Sequence, residues 1–261
     1  LRHQNSPELI SRPVFLTLYV VKRLMPSRIK VLTFDLDDTL WPCQPTIMAA
    51  EQKLYEWMQQ RVPQITQRHD SEALFHKRRD FMRQRPDLLH DMSKLRVESL
   101  KALSDEMGLG YDWIDEAFDV FFQARQQVEL YSDVVPVLDV LSSVYTLVAV
   151  SNGNADIALT GIDRWFDFSV SAAEVGYQKP HPLVFETAMS RAGATREETV
   201  HIGDDEHRDI YGACEAGIRT VWLNRSNRDW NHTRCKADHH IRSLAELPEI
   251  IRKIQYNAFS E

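Results

Sequence analysis

The sequence predicts an α/β fold, a doubly wound parallel sheet with an inserted helical cap domain. Short apolar runs alternate with helical patterns before residue 45 and again after residue 130, which is typical of a parallel sheet flanked by helices. The intervening stretch carries only amphipathic helical patterns. We therefore expect a core of residues 26–44 and 131–261 and a cap of residues 45–130.

The predicted strands are short, and polar residues follow directly after three of them. The first strand ends in Phe34 and is followed by Asp35, the pattern of a buried parallel strand that delivers polar groups at its carboxyl end. Ligands bind outside the carboxyl ends of such sheets, so these polar loops are expected to converge. The predicted strands are residues 29–34, 146–150, 166–170, 199–202 and 220–223, with helices at residues 135–143, 183–192 and 210–216.

The insert is expected to cover the crevice at the strand ends. Gly108 is predicted to end one of its helices and Asp112 to cap the next. Its many aromatic residues predict a packed helical core, with an aromatic clamp for a ligand ring as the alternative. Its arginines, Arg78 and Arg96 among them, predict a solvated face, with one or two of them reaching the ligand as the alternative. The predicted helices are residues 46–61, 71–84, 91–107 and 112–128.

Composition and charge exclude some classes of function. The chain has 261 residues, a formal net charge of −7 and a pI near 5.8. This charge argues against a nucleic-acid partner, because binding phosphate backbones requires a basic face. Cys43, Cys214 and Cys235 are too scattered to predict a disulfide framework or a metal cluster. We expect a reduced cytoplasmic protein that is a monomer or a homodimer.

Residues 1–25 are expected to form a flexible or loosely docked extension. The apolar run within it, residues 14–21, is much shorter than the ~20 residues that a membrane helix needs. No small-residue cleavage site of a signal peptide follows this run. We therefore expect no membrane partner; a peripheral amphipathic anchor is the alternative.

The strongest chemical signal is the run from Asp35 to Leu40, directly after the first strand. Side chains alternate along a strand, so Asp35 and Asp37 leave its end on nearly the same side. Two like charges buried together are costly unless a cation neutralises them, and Mg²⁺ is a hard cation that carboxylates bind well. The run therefore predicts a magnesium site, with a simple capped turn as the alternative.

A second acidic cluster follows the predicted strand 199–202. Gly203 permits a tight exit from the strand, after which Asp204 is expected to point into the crevice as a metal ligand. Two roles are open for Asp205 and Asp209: completing the metal shell through water, or capping the helix that follows. A solvated acidic loop is the alternative for the whole cluster.

Two further segments predict contacts to phosphate. Ser151 ends its strand and Asn152 is expected to open a helix, so a hydroxyl and free backbone N–H groups would form an anion cradle. Lys179 brings a cation close to the start of another helix. Pro180 and Pro182, which follow it, fix the path of the chain there. An ordinary turn and a solvated surface charge are the alternatives.

Taken together, these segments resemble the four motifs of the haloacid dehalogenase-like hydrolase superfamily. The resemblance extends over residues 29–245, and the helical insert resembles the type 1 cap of that superfamily. It implies a Mg²⁺-dependent phosphoric monoester hydrolase with a small-molecule phosphate ester as substrate. The motifs are Asp35-Leu36-Asp37-Asp38-Thr39, Ser151, Lys179, and Gly203-Asp204 with Asp209.

The resemblance also implies the role of each residue. Asp35 would attack phosphorus to form an aspartyl phosphate, and Asp37 would protonate the leaving alkoxide and then activate water. The metal ligands would be Asp35, Asp204 and the backbone carbonyl of Asp37, supported by Asp205 and Asp209. The substrate phosphate would be bound by Thr39, Ser151, Asn152 and Lys179.

Asp37 favours phosphate-ester chemistry, because similar superfamily members that displace halide or cleave phosphonates lack an acidic residue there. A phosphomutase also needs this aspartate, and a phosphoacceptor signalling module is a further alternative, although such modules are smaller and lack the insert. Residues 35–41, 94–96 and 151–155 resemble the branch acting on flavin mononucleotide and 5-amino-6-(5-phosphoribitylamino)uracil. Relatives with similar caps hydrolyse nucleoside monophosphates and sugar phosphates.

Overall fold

A computed structural model describes residues 29–231 and 234–257. Its centre is a sheet of six strands in the order β3-β2-β1-β4-β5-β6, in which every neighbouring pair is parallel. The predicted doubly wound parallel sheet is confirmed. The strands are β1 Val31–Phe34, β2 Thr146–Ser151, β3 Phe168–Ser171, β4 Thr199–Gly203, β5 Arg219–Leu223 and β6 His239–Ile241.

The sheet winds outward from β1 in both directions, so β1 lies between β2 and β4. Polar residues end or directly follow these three strands: Asp35 after β1, Ser151 at the end of β2 and Asp204 after β4. The carboxyl ends of parallel neighbours meet at one edge of a sheet, where ligands bind. The strand order therefore brings these three residues together.

Residues 43–125, between β1 and β2, form a series of helices. Buried apolar side chains of these helices, including Leu54, Met58, Leu100 and Phe121, pack into a cluster of their own. We propose that these helices form the cap. They are α1 Cys43–Arg61, α2 Pro63–Thr66, α3 Ser71–Gln84, α4 Met92–Met107 and α5 Ile114–Arg125.

Helices cover both faces of the sheet. Side chains alternate along β1, so Leu32 and Phe34 belong to a cluster with Leu141 on one face, whereas Val31 packs with Val184 on the other. Apolar residues on both faces are typical of a parallel sheet buried between helices. These helices are α6 Val134–Ser142, α7 Ala172–Val175, α8 Pro182–Ala192, α9 Gly212–Glu215 and α10 Leu247–Asn257.

Of the two helix ends predicted for the insert, the structure confirms one and corrects the other. Gly108 ends α4 in a left-handed conformation with φ of 66°, as predicted, because glycine adopts this conformation without steric cost. The prediction that Asp112 caps the next helix is wrong. Trp113 precedes the first residue of α5, and no side chain caps it. Instead the N–H of Ile114 donates to the carbonyl of Tyr111, so a backbone turn leads into the helix.

Cys214 and Cys235 form a disulfide, which corrects the expectation of unpaired cysteines. Cys214 lies in α9, and Cys235 lies in the segment that leads to β6, an edge strand that is not among the predicted strands. The two cysteines are 21 residues apart in sequence, and only the fold brings them together. Cys43 is free. The reduced cytoplasmic location and the monomeric or homodimeric state stay predictions.

Among the described residues, no helix is both long enough and apolar enough to cross a bilayer. The predicted extension of residues 1–25 lies outside the described residues. The absence of a membrane or nucleic-acid partner stays a prediction.

Candidate active site

A buried ammonium group, that of Lys179, lies at the centre of the site. Its Nζ donates hydrogen bonds to Asp35 Oδ1 at 2.6 Å, to Asp209 Oδ1 at 2.7 Å and to the carbonyl of Val150 at 2.7 Å. All three ammonium donors are therefore engaged. Burial alone would lower the pKa of Lys179, but the two carboxylates raise it above its ordinary value. Lys179 thus stays charged and ties together segments that follow three strands.

The side chain of Asn152 holds the Lys179 backbone. Its Nδ2 donates to the carbonyl of Lys179 at 2.9 Å, and its Oδ1 accepts from the N–H of Lys179 at 2.7 Å. The hydroxyl of Ser151 accepts from the N–H of Gly153 at 3.0 Å. The predicted helix after Ser151 is wrong, since residues 152–167 contain turns but no helix. These side-chain contacts stabilise the loop in its place.

Asp205 and Asp209 follow β4 and have different partners. Asp205 Oδ1 accepts from the N–H groups of His207 at 2.9 Å and Arg208 at 2.7 Å, so it caps the helical turn, one of its two predicted roles. Asp209 is buried, and its Oδ2 accepts from the N–H of Asp205 at 3.0 Å. Burial alone would raise the pKa of Asp209, but Lys179 holds it well below its usual range.

Gly203 packs directly against Asp209, and we expect Gly203→Ala to destabilise the fold by about 1–3 kcal/mol. A Cβ at residue 203 would lie 2.3 Å from Cγ of Asp209, so the buried carboxylate would have to move. Urea unfolding would measure the loss. Gly110→Ala is the matched control, because a Cβ there meets nothing within 4 Å. Equal unfolding midpoints for the two variants would contradict this close packing.

Three carboxylates, those of Asp35, Asp204 and Asp209, form a cluster that could hold a metal ion. One oxygen of each lies within 4.8 Å of the others. Burial, with Asp209 and other carboxylates nearby, raises the pKa of Asp35 to about 7 despite the opposing effect of Lys179. Burial and the nearby Asp35 raise the pKa of Asp204 to about 8. Since a cation would relieve this repulsion, the cluster fits a divalent metal ion.

Asp37 is held from the side by two donors. Trp41 Nε1 donates to Oδ1 at 2.8 Å, and Nη2 of Arg125 contacts Oδ1 at 2.8 Å and Oδ2 at 2.7 Å. Arg125, which is not among the predicted site residues, is 88 residues away from Asp37 in the chain. A lone arginine at a helix end carries no local pattern that would have identified it.

Thr39 is the one predicted site residue that does not line the cavity around these carboxylates. Its side chain is fully buried, and Oγ1 has no hydrogen-bond partner among the described residues. Its carbonyl accepts from Arg225. The cavity is lined by all the other predicted site residues: Asp35, Asp37, Ser151, Asn152, Lys179, Asp204, Asp205 and Asp209.

The cavity has a volume of about 480 Å³ and extends from the sheet edge to the helical insert. Its sheet side is polar, as described above. Its insert side carries Arg78, Arg96 and Arg125 and also an apolar part, here called the roof. The roof consists of Ile47, Met82, Leu89, Met92, Leu95 and Phe121. The cavity therefore combines a polar sheet side with an apolar roof that arginines border, and a ligand with both a charged and an apolar part would fit it.

Arg78 and Arg96 border the roof, whereas Arg79 and Arg83 are exposed, as predicted. Arg96 is 5% exposed, makes two hydrogen bonds to Glu51 at 2.7 and 3.1 Å, and stacks over the ring of Phe121. Arg78 Nε lies 2.9 Å from the same carboxylate. Burial would raise the pKa of Glu51, but the two arginines lower it below its ordinary value. The two arginines turn inward because they share the half-buried carboxylate of Glu51.

A family model described as haloacid dehalogenase-like hydrolase matches residues 29–217 of the chain. The chain belongs to this family. The match covers β1 to α9 and includes every predicted site residue. The predicted membership of the haloacid dehalogenase-like (HAD-like) hydrolases is therefore confirmed, and the protein is an enzyme of that hydrolase class.

Similar HAD-like proteins carry different names. A protein of Escherichia coli (strain K12) named 5-amino-6-(5-phospho-D-ribitylamino)uracil phosphatase YigB is 29% identical over 211 residues, 79% of this chain and 88% of YigB. The crystal structure of a 2-haloacid dehalogenase from Pseudomonas syringae pv. Tomato DC3000 superposes with a TM-score of 0.79 at 35% identity, covering 86% of this chain and 99% of that one. A HAD phosphatase from Thermococcus onnurineus superposes with a TM-score of 0.62 at 25% identity, covering 85% and 98%.

Contacts to the loop that carries Asp204 also come from beyond the HAD-like match. Arg228 Nη2 donates to the carbonyl of Asp204 at 3.0 Å and lies 3.3 Å from its Oδ2. Trp222 Nε1 donates to the same carbonyl at 2.8 Å. β5 and the segment after it thus support the loop that carries Asp204.

Proposed function

We propose that the protein is a Mg²⁺-dependent phosphatase that hydrolyses small-molecule phosphate monoesters through an aspartyl-phosphate intermediate. The observation that carries this proposal is the state of Asp35. Lys179 holds its Oδ1 at 2.6 Å, and among the described residues no hydrogen bond reaches Oδ2. One oxygen is thus oriented and the other is available as a nucleophile, with Asp37 at the same cavity.

In the first step, Oδ2 of Asp35 attacks the phosphorus of the bound ester in line with the leaving oxygen. A bond forms between Oδ2 and phosphorus, and the bond from phosphorus to the alkoxide breaks. Asp37, in its protonated form, gives its proton to the alkoxide, which leaves as the alcohol. The phosphoryl group stays on Asp35, and Asp37 becomes a carboxylate.

In the second step, a water molecule attacks the phosphorus of the aspartyl phosphate. Asp37 takes a proton from this water as the new bond forms, and the bond from phosphorus to Asp35 breaks. Inorganic phosphate is released, Asp35 is again a carboxylate and Asp37 is again protonated. The sum is one ester and one water converted to one alcohol and one phosphate.

Charge on the transferring group is stabilised by the residues around Lys179. Because the three donors of this ammonium group are engaged by protein acceptors, Lys179 acts mainly through its buried positive charge and through the orientation of Asp35. We propose that the hydroxyl of Ser151 and the backbone N–H of Asn152 bind the non-reacting phosphoryl oxygens.

Mg²⁺ fits the carboxylate cluster, and we propose Asp35, Asp204 and the backbone carbonyl of Asp37 as its protein ligands. Asp209 is the less available member, because Lys179 engages its Oδ1 and the N–H of Asp205 engages its Oδ2, whereas Asp35 keeps one oxygen without such a partner within the described part of the chain. When bound, the ion would neutralise charge on the phosphoryl oxygens and orient the phosphate. Asp205 and Asp209 would then support the loop that carries Asp204.

The substrate that we propose has an apolar or planar organic part attached to the phosphate. The apolar roof supports this, since a purely polar leaving group would gain little there. The name of the relative YigB supports a phosphorylated ribityl compound such as 5-amino-6-(5-phosphoribitylamino)uracil or flavin mononucleotide. Nucleotides and sugar phosphates are the other substrates to compare.

Phosphate release from a panel of esters tests the proposal. Purified protein would be assayed with p-nitrophenyl phosphate, flavin mononucleotide, nucleoside monophosphates and sugar phosphates, in Mg²⁺ and in EDTA. We expect many turnovers per enzyme with Mg²⁺, none in EDTA and recovery when excess Mg²⁺ is restored. A mock purification from the same host controls for contaminating phosphatases. An absence of turnover on the entire panel would overturn the proposal.

The same assay separates the alternatives. A phosphomutase would move phosphate within a sugar phosphate instead of releasing it, and a phosphoacceptor module would be labelled once. The likeness to a protein described as a 2-haloacid dehalogenase calls for a 2-chlorocarboxylate in the panel. We expect no chloride release, because superfamily members that displace halide lack an acidic residue at the position of Asp37.

The two carboxyls with raised pKa predict how stability depends on pH. In the unfolded chain the pKa of Asp35 and Asp204 is 3.8, whereas in the folded protein it is about 7 and about 8. Above pH 6.5 the folded protein therefore binds more protons than the unfolded chain, and stability falls as pH rises toward 8. The lowered pKa of His201 acts oppositely only below its unfolded value of 6.5.

We expect the metal-free protein to lose about 2 kcal/mol of unfolding free energy between pH 6.5 and 8. Urea unfolding in EDTA would measure this loss. Mg²⁺ should stabilise the protein more at pH 8 than at pH 6.5, because it replaces the protons on Asp35 and Asp204. A flat pH profile in EDTA, or equal stabilisation by Mg²⁺ at both pH values, would contradict the prediction.

A further inference from the structure

Arg125 connects the helical insert to the proposed acid–base residue. It is the last residue of α5, where the insert leads back to the sheet, and its side chain is 1% exposed. Its Nη2 lies 2.8 Å from Oδ1 and 2.7 Å from Oδ2 of Asp37. A residue of the insert therefore holds a carboxylate of the core from within the protein.

The other two nitrogens of Arg125 make no hydrogen bond to the described residues. These nitrogens, Nε and Nη1, are both buried. A buried arginine that only cross-linked the two parts of the chain would spread its five donors over several acceptors. An arginine that only offset the helix dipole would serve as well at the surface. The position of Arg125 is therefore best explained by its contact with Asp37.

The two oxygens of Asp37 differ in their surroundings. Oδ1 accepts from both Trp41 and Arg125, whereas Oδ2 accepts from Arg125 alone. Gly153 lies against Oδ2, and a Cβ at that residue would be 2.8 Å from it. A side chain at residue 153 would crowd Oδ2, and glycine leaves that space free. Oδ2 is thus the oxygen that can exchange a proton with a substrate.

We propose that Arg125 is a positioning residue for catalysis, which holds Asp37 so that Oδ2 meets the leaving-group oxygen. This inference rests on the proposed phosphatase function. Gln126, the next residue, holds the loop after β2. Its Nε2 donates to the carbonyl of Asn154 at 3.2 Å, and its Oε1 accepts from the N–H of Asp156 at 2.9 Å. The end of α5 thereby fixes Asp37 and the loop after β2 together.

Leaving-group dependence tests this role. An alkyl phosphate releases an alkoxide that needs a proton, whereas p-nitrophenyl phosphate releases a stabilised phenolate that does not. We expect Arg125→Ala to lower kcat/KM about 100-fold for an alkyl ester and less than about fivefold for p-nitrophenyl phosphate. The ratio kcat/KM is the correct measure, because it reports the steps up to transfer of the phosphoryl group.

Two further variants sharpen the test. Asp37→Asn should show the same leaving-group dependence, and adding Arg125→Ala to it should cost little more, since the two residues act as a unit. Arg61→Ala is the matched control, because Arg61 pairs with Glu116 at 3.0 Å on the surface of the same insert. It should leave both esters unaffected. Guanidinium added to Arg125→Ala should restore alkyl-ester activity in part.

Equal loss on both esters, or additive losses in the double variant, would overturn the positioning role. If Arg125→Ala does not fold, Arg125→Lys carries the test, because its ammonium keeps the charge but holds the carboxylate less firmly. A smaller loss confined to the alkyl ester would support the role, and a uniform loss or none would overturn it. Wild-type protein inactive on both esters would instead contradict the phosphatase function itself.

Discussion

Replacing Asp35 with asparagine is expected to lower turnover by at least about 10⁴-fold, because an amide cannot form the acyl phosphate. The fold should persist, since the amide oxygen can still accept from Lys179, as Oδ1 does at 2.6 Å in the structure. Initial rates of phosphate release measure the loss. Intact-protein mass after an acid quench should show one phosphoryl group on the wild type and none on Asp35→Asn.

Asp38→Asn is the matched control for this prediction. Asp38 belongs to the same acidic run, but it adopts a φ of 62°, and its Oδ1 accepts from the N–H of Cys43 at 2.9 Å. Asparagine tolerates this left-handed conformation and keeps an acceptor. Its activity should stay within an order of magnitude of the wild type. Wild-type turnover in Asp35→Asn would exclude Asp35 as the nucleophile.

Lys179→Met is expected to affect both stability and activity. Lys179 is 2% exposed and is the shared partner of two buried carboxylates, those of Asp35 and Asp209. Removing the cation leaves these charges and the Val150 carbonyl without their partner, which should cost about 3–5 kcal/mol of unfolding free energy. Loss of its charge at the phosphoryl group should lower kcat/KM by at least about 10²-fold. Urea unfolding and initial rates measure the two effects.

Lys101→Met provides the comparison for Lys179→Met. Lys101 pairs with Glu98 at 2.9 Å, but its side chain is 40% exposed, so its removal should change stability by less than about 0.5 kcal/mol. If Lys179→Met does not fold, adding Asp209→Asn should recover part of the lost stability, because it removes one of the unpaired charges. A Lys179→Met variant as stable and active as the wild type would contradict the central role of this ammonium group.

The sheet and the acidic residues at its edge were predictable because their signals are local. An apolar strand followed by Asp35, and another followed by Asp204, are patterns within a few residues. Parallel pairing then brings strand ends together without further information. The left-handed end of α4 at Gly108 was predictable for the same reason, since glycine favours that conformation.

The features that were missed depend on contacts between distant residues. Arg125 meets Asp37 across 88 residues, and Arg96 meets Glu51 across 45. Each is one of 31 lysines and arginines in the sequence, and nothing in its neighbourhood distinguishes it from a surface charge. The expected helix after Ser151 is absent because side chains of the loop, rather than a helix end, satisfy its polar groups.

The cavity's two walls come from different parts of the chain, and this has a consequence for how new specificities arise. The phosphoryl end is built on the sheet, while the roof belongs to helices with an apolar cluster of their own. Substitutions in the roof can therefore alter which alcohol fits without disturbing the carboxylates. A mutant library restricted to the six roof positions would therefore test new substrates while the catalytic residues stay unchanged. This separation of substrate binding from catalysis favours evolutionary diversification.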